Sequence, residues 1–161
     1  MLAKIASIEL GEKWQARTAP SGAIELLAFS LKADESVQLN LFYRGKSVNP
    51  VAAERFHKLL GQVAHEVDPS ELRLVEMVLR DASEPEYFQC DSARTLMIGG
   101  KMVLQVDGLW TQNRLKSRAF FADRDGDGKT VSEIHYLAPV SQFEQHLADV
   151  EAILKTVRWL R

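Results

Sequence analysis

The run Asp123-Arg-Asp-Gly-Asp-Gly128 places carboxylates at alternate positions and ends on glycine, the spacing of the first half of an EF-hand calcium loop. Hard cations favour such clusters of oxygen ligands, and a glycine in the middle of the loop allows a sharp turn. A complete loop then needs a bidentate glutamate at its last position, which is Ile134 here, with Glu133 one place early. Asp123, Asp125, Asp127 and Glu133 are thus candidate ligands for a cation such as Ca²⁺. The alternative is an acidic hairpin tip whose Asp-Gly pairs satisfy turn geometry. Glu133 and His135 are two apart, hence on one face of a strand, and a loop aspartate would complete a minimal metal or acid–base set. The same pair also suits an exposed strand face.

Other residues offer less. Gly45-Lys46-Ser47 stands between a predicted strand and a predicted helix, the context of a phosphate-cradling loop. Such a loop requires another glycine five positions before Gly45, where Asn40 sits in an alternating strand, so no cradle is expected. His57 and His65 fall roughly on one side of a predicted helix without companion carboxylates, and His146 borders an apolar stripe. No HExxH spacing or triad order is present. Cys90 lacks a CxxC partner and is expected to be a buried, inert thiol.

The aromatic residues point elsewhere. Phe42, Tyr43, Trp110, Phe120, Phe121 and Tyr136 all fall on predicted strands. Phe120 and Phe121 must point to opposite faces, so at least one is expected outside a core covered by helices. A sheet face bearing Trp110 and Phe120 or Phe121, with the acidic tip at Asp125 and Asp127, is the candidate surface for a protein partner.

The elements that position these groups follow from apolar periodicity. Trp14, Ala16 and Thr18 alternate in a short strand. Ala23–Lys32 and Val37–Arg44 form a hairpin in which Val37, Leu39, Leu41 and Tyr43 share one buried face and the other face is mostly wet. Asn49-Pro50 reads as cap and first residue of a helix to about Val67, with Ala52, Phe56, Leu59, Val63 and Val67 inward. Asp68-Pro-Ser-Glu71 starts a second helix over Leu72–Arg80. Arg94–Ile98 and Lys101–Trp110 pair across Gly99-Gly100. Leu115–Ala122 and Thr130–Leu137 pair across the acidic run. Ser141-Gln-Phe-Glu144 reads as a capping box for a last helix whose apolar stripe is Phe143, Leu147, Val150, Leu154 and Val157. The expected class is α+β, one antiparallel sheet of about six or seven strands with helices packed on it.

The chain has 161 residues, enough for one domain over residues 1–161 with a self-sufficient core. Lys and Arg total 20 against 22 Asp and Glu, a net charge of −2 that argues against non-specific nucleic-acid binding. A lone cysteine excludes an internal disulfide. No apolar run reaches the length of a membrane span, and the first ten residues are too broken by charge for a signal h-region. Cytoplasmic location without membrane insertion is the expectation.

One pattern extends beyond single motifs. Leu96-Met-Ile-Gly-Gly100 leads to Val103-Leu-Gln-Val-Asp-Gly-Leu-Trp110, then to paired strands around Asp125-Gly-Asp-Gly128, Glu133-Ile-His-Tyr-Leu-Ala-Pro139 and a helix ending in Val157-Arg-Trp159. Over roughly residues 94–160 this resembles the PsbP-like fold, shared by a photosystem extrinsic subunit, a yeast Ran-binding import factor and bacterial DcrB-like proteins; type VI secretion effector chaperones are similar in fold. The resemblance implies binding of macromolecules rather than catalysis and supplies no catalytic residues. The expected function is a non-enzymatic, cytoplasmic bacterial protein-binding module without a cofactor, such as an effector chaperone or toxin-immunity protein. The alternative is a metal-dependent hydrolase or Ca²⁺-stabilised domain built on residues 123–127, Glu133 and His135.

Overall fold

A computed structural model describes residues 5–18, 25–43, 49–73 and 87–161. The Gly45-Lys46-Ser47 run, the expected helix beyond residue 73 and the side chains of Phe42 and Tyr43 lie outside the described residues. Strands β1 (Ile5–Ser7), β2 (Trp14–Arg17), β3 (Glu25–Leu31) and β4 (Gln38–Tyr43) precede helix α1 (Pro50–Leu60). Then come β5 (Glu66–Val67), a helical stretch at 69–73, β6 (Phe88–Ile98), β7 (Lys101–Trp110), β8 (Leu115–Asp123), β9 (Val131–Pro139), helix α2 (Phe143–Lys155) and β10 (Arg158–Trp159).

The class is α+β. An antiparallel sheet of eight strands runs β2-β3-β4-β9-β8-β7-β6-β5, and β1 pairs with β10 in a second, two-stranded sheet. The count exceeds the expected six or seven because β1, β5 and β10 are too short to show a period of two. The glycine hairpin is as expected: Gly99 and Gly100 have φ of +57° and +81°, and Ile98 pairs with Lys101 across them. A Cβ on Gly99 would stand 2.4 Å from the Val157 carbonyl oxygen, because the C-terminal tail lies against this turn. Trp159 fastens it there, its ring N–H donating to the Ile98 carbonyl at 2.7 Å.

Both sheet faces are covered where the core lies. On one, Leu39, Leu41, Val103, Phe120, Ile134 and Tyr136 pack with Phe143, Val150, Ile153 and Leu154 of α2. On the other, Leu104, Val106, Ala119, Phe121 and Val131 pack with Ala52, Phe56 and Leu59 of α1. Phe120 and Phe121 do point to opposite faces, yet neither is open: they are 3% and 4% exposed. The expectation of an uncovered phenylalanine fails because each helix takes one face. Burying such a ring is worth about 1.5–3 kcal/mol, which makes coverage the favoured solution for both.

The helix boundaries are only partly those expected. Asn49 does cap α1, its side-chain oxygen accepting from the Val51 N–H at 2.9 Å. The helix stops at Leu60 instead of about Val67, and Val63 is 86% exposed. The edge of the sheet claims the following backbone: the Thr95 N–H donates to the His65 carbonyl at 2.9 Å, and Glu66 pairs with Arg94. Asp68 accepts from the Ser70 and Glu71 N–H groups, as its start signal implies. The capping box of α2 does not form. Gln142 occupies the cap without a side-chain capping bond, and Glu144 instead accepts from Lys116 at 3.4 Å. Tyr136 holds this end, its hydroxyl donating to the Phe143 carbonyl at 2.7 Å with the two rings stacked 4.6 Å apart.

Candidate functional site

The acidic hairpin owes its spacing to its own backbone. Asp123 ends β8 and is 5% exposed. Its two oxygens accept from the Gly126 and Gly128 N–H groups at 3.0 and 2.9 Å, and His57 Nδ1 of α1 lies 3.3 Å away. Gly126 and Gly128 have φ of +81° and +72°, a region L side chains rarely adopt. A Cβ on Gly128 would sit 2.0 Å from the Ala53 carbonyl oxygen, so glycine also lets the loop press against α1. Asp125 accepts from the Thr130 hydroxyl, and Asp127 from the Lys129 N–H at 2.9 Å. Asp125 and Asp127 are exposed while Asp123 points inward, so the three carboxylates do not converge. Among the described residues no group of three or more His, Cys, Asp and Glu is placed to hold a metal.

Glu133 and His135 share a face, as their spacing requires, but that face is not exposed. Glu133 is fully buried, and its Oε2 lies 2.8 Å from His135 Nε2. Register places Glu133 opposite Phe121 and His135 opposite Ala119, under the side of the sheet that carries α1. The His135 ring meets the Phe121 ring edge-on at 5.8 Å. The exposed-strand reading fails because Glu133 finds a hydrogen-bond partner on its own strand and can be carried into the core.

The other expected groups do not assemble into one surface. Trp110 is half-buried, with its ring 5.0 Å from that of Phe88. It pairs with Leu115 at one end of β8, whereas Asp125 and Asp127 follow the other end. At about 3.3 Å per residue the length of β8 separates them by roughly 25 Å. His65 is not on the helix of His57; it precedes β5 and contacts Glu71 at 3.0 Å. Cys90 is exposed on β6 instead of buried, because the strand bulges between Cys90 and Ser92 near the sheet edge.

A different site lies beside α2. A groove of about 430 Å³ runs between this helix and β6, β7 and β8. Leu96, Ile98, Phe120 and Leu154 supply apolar lining, and Arg94, Gln105, Arg118, Glu151 and Lys155 supply polar groups. The polar side chains form a ladder across the strands. Arg118 makes a two-pronged bond to Asp107, Nε to Oδ1 at 2.9 Å and Nη2 to Oδ2 at 2.8 Å, and reaches Glu151 at 3.5 Å. Burial opposes the charge of Arg118, but the bonds and charge of Asp107 outweigh it, with Glu151 and Glu144 adding, and hold its pKa above the usual value. Gln105 donates to both Asp107 oxygens at 3.3 Å, and its carbonyl accepts from Nε and Nη2 of Arg94 at 3.4 Å.

None of these groove residues except Phe120 was a candidate from the sequence. One signal was present: a two-residue glycine turn fixes register, and that register sets Arg94 opposite Gln105.

No protein-family pattern and no curated protein matches this chain. Among solved structures it is similar to LpqN of Mycobacterium tuberculosis, a protein involved in cell envelope biogenesis. The identity is 11% and the TM-score 0.45, over 96% of this chain and 83% of that one.

Proposed function

We propose that this chain is a protein-binding module that holds a partner without transforming it, as an effector chaperone or toxin-immunity protein would. The observation that supports this reading is the groove beside α2, where apolar side chains and charged groups line one open channel. Phe121 is taken up by the core beside α1 and Phe120 meets only the floor of the groove, so the groove as a whole takes their place as the recognition surface. The PsbP-like pattern over residues 94–160 agrees with this reading, since the proteins sharing that fold mostly bind macromolecules.

The test is a tagged pull-down from native-host lysate, with and without EDTA, read by mass spectrometry. One near-stoichiometric partner in both lanes is expected. No partner, or one lost with EDTA, would overturn the reading, and the second outcome would favour an ion held by the acidic hairpin.

A further inference from the structure

We propose that the groove beside α2 binds an apolar segment of a protein partner through a carboxylate on that segment, received by Arg94 and Lys155. The proposal rests on the protein-binding reading and names the chemistry of the occupant. Arg94 and Lys155 line the groove from the β6 and α2 sides, and both are exposed. Among the described residues neither has a carboxylate within ion-pair distance, whereas Arg118 has two, Asp107 and Glu151. Arg118 is thus neutralised by its acids, while Arg94, with Glu66 at its cross-strand position outside ion-pair distance, and Lys155, one helical turn from Glu151, keep their charges unpaired at the open positions.

The ladder also presents Arg94 in one orientation. A carboxylate accepts and cannot donate, so Asp107 fixes the Gln105 amide with its NH₂ toward the acid and its carbonyl toward Arg94. That carbonyl takes two of the five guanidinium donors. The remaining donors are available for a planar, forked carboxylate, the geometry that arginine recognises best. Leu96, half-buried beside the largely covered Phe120 and Leu154, then favours an apolar side chain next to the acid. A nucleic acid would bring phosphates but no such side chains, so a protein segment is favoured.

The experiment titrates the ¹⁵N-labelled full chain with the peptide acetyl-LFELF-amide and its glutamine counterpart acetyl-LFQLF-amide. The glutamate peptide should shift the amides of Leu96–Gly99 and Glu151–Lys155 saturably, and bind at least tenfold tighter than the glutamine peptide. The double variant Arg94→Gln with Lys155→Gln, whose changes are at exposed positions, should keep the wild-type circular dichroism and lose that tenfold preference. Equal binding of the two peptides, shifts confined to other surfaces, or no shift at millimolar peptide would overturn the proposal. The two readings fail separately. A native partner captured equally by wild type and double variant sinks the groove assignment alone, whereas a wild type that captures nothing sinks the protein-binding reading itself.

Discussion

Asp123 accepts two backbone N–H groups inside its own hairpin, while Asp125 and Asp127 make their bonds at the surface. Asp123→Ala should therefore cost about 1–3 kcal/mol, since it leaves inward-facing donors unsatisfied. Asp125→Asn and Asp127→Asn should each stay within about 0.5 kcal/mol. Urea unfolding separates these outcomes. Similar losses from all three substitutions, or stabilisation by millimolar calcium, would indicate a shared ion instead. His65 carries a pH-dependent contribution. Its ring nitrogens face Glu71 Oε2 at 3.0 Å and the Val63 carbonyl at 2.8 Å, both acceptors, so the doubly protonated ring is favoured. The Glu71 bond chiefly, then the Val63 carbonyl, raises the pKa above its ordinary 6.5. A group whose folded pKa is raised stabilises fully below its unfolded pKa and loses that stability as pH rises through the folded value. Wild type should thus lose stability relative to His65→Gln as pH rises from the ordinary histidine range through the raised folded value. Parallel pH profiles for the two proteins would contradict this.

Adjacent phenylalanines on β8 test how the elements are layered. Phe120→Ala and Phe121→Ala should each cost about 3–5 kcal/mol in denaturant unfolding, because α2 covers one ring and α1 the other. A near-neutral result for either would mean that its face is open. Tyr136→Phe should cost about 1 kcal/mol through the lost bond to Phe143, with the stacked rings retained. The long hairpins were legible in the sequence because Gly99-Gly100 and the Asp-Gly run mark their turns and the strands between are long. Strands of two or three residues left no such trace, since β1, β5 and β10 exist only by pairing with distant chain. Local signals also failed where tertiary contacts outbid them. The edge of β6 ends α1 early, and Lys116 draws off the Glu144 carboxylate that the capping box of α2 would use. Periodicity showed that Phe120 and Phe121 diverge, but not that a helix waits on each side.

At the scale of the molecule, α1 and α2 cover the core on the two sheet faces among the described residues, and the groove beside α2 brings polar and apolar groups together in the open. The net charge of −2 opposes an acidic partner weakly, and the proposed contacts of Arg94 and Lys155 would offset that repulsion. Affinity for such a partner should then fall as salt rises from about 0.05 to 0.5 M, as exposed charges become screened. The central claim is that the partner sits on this groove and not at the far ends of β8. The most direct measurement places a benzophenone side chain at Leu96, Trp110 or Asp125 in turn and illuminates the native host. Leu96 lines the groove on the strand face it shares with Arg94 and is half-buried. The account predicts one discrete protein adduct from Leu96, abolished by Arg94→Gln with Lys155→Gln, and none of comparable yield from Trp110 or Asp125. Adducts from Trp110 or Asp125 with none from Leu96 would contradict it.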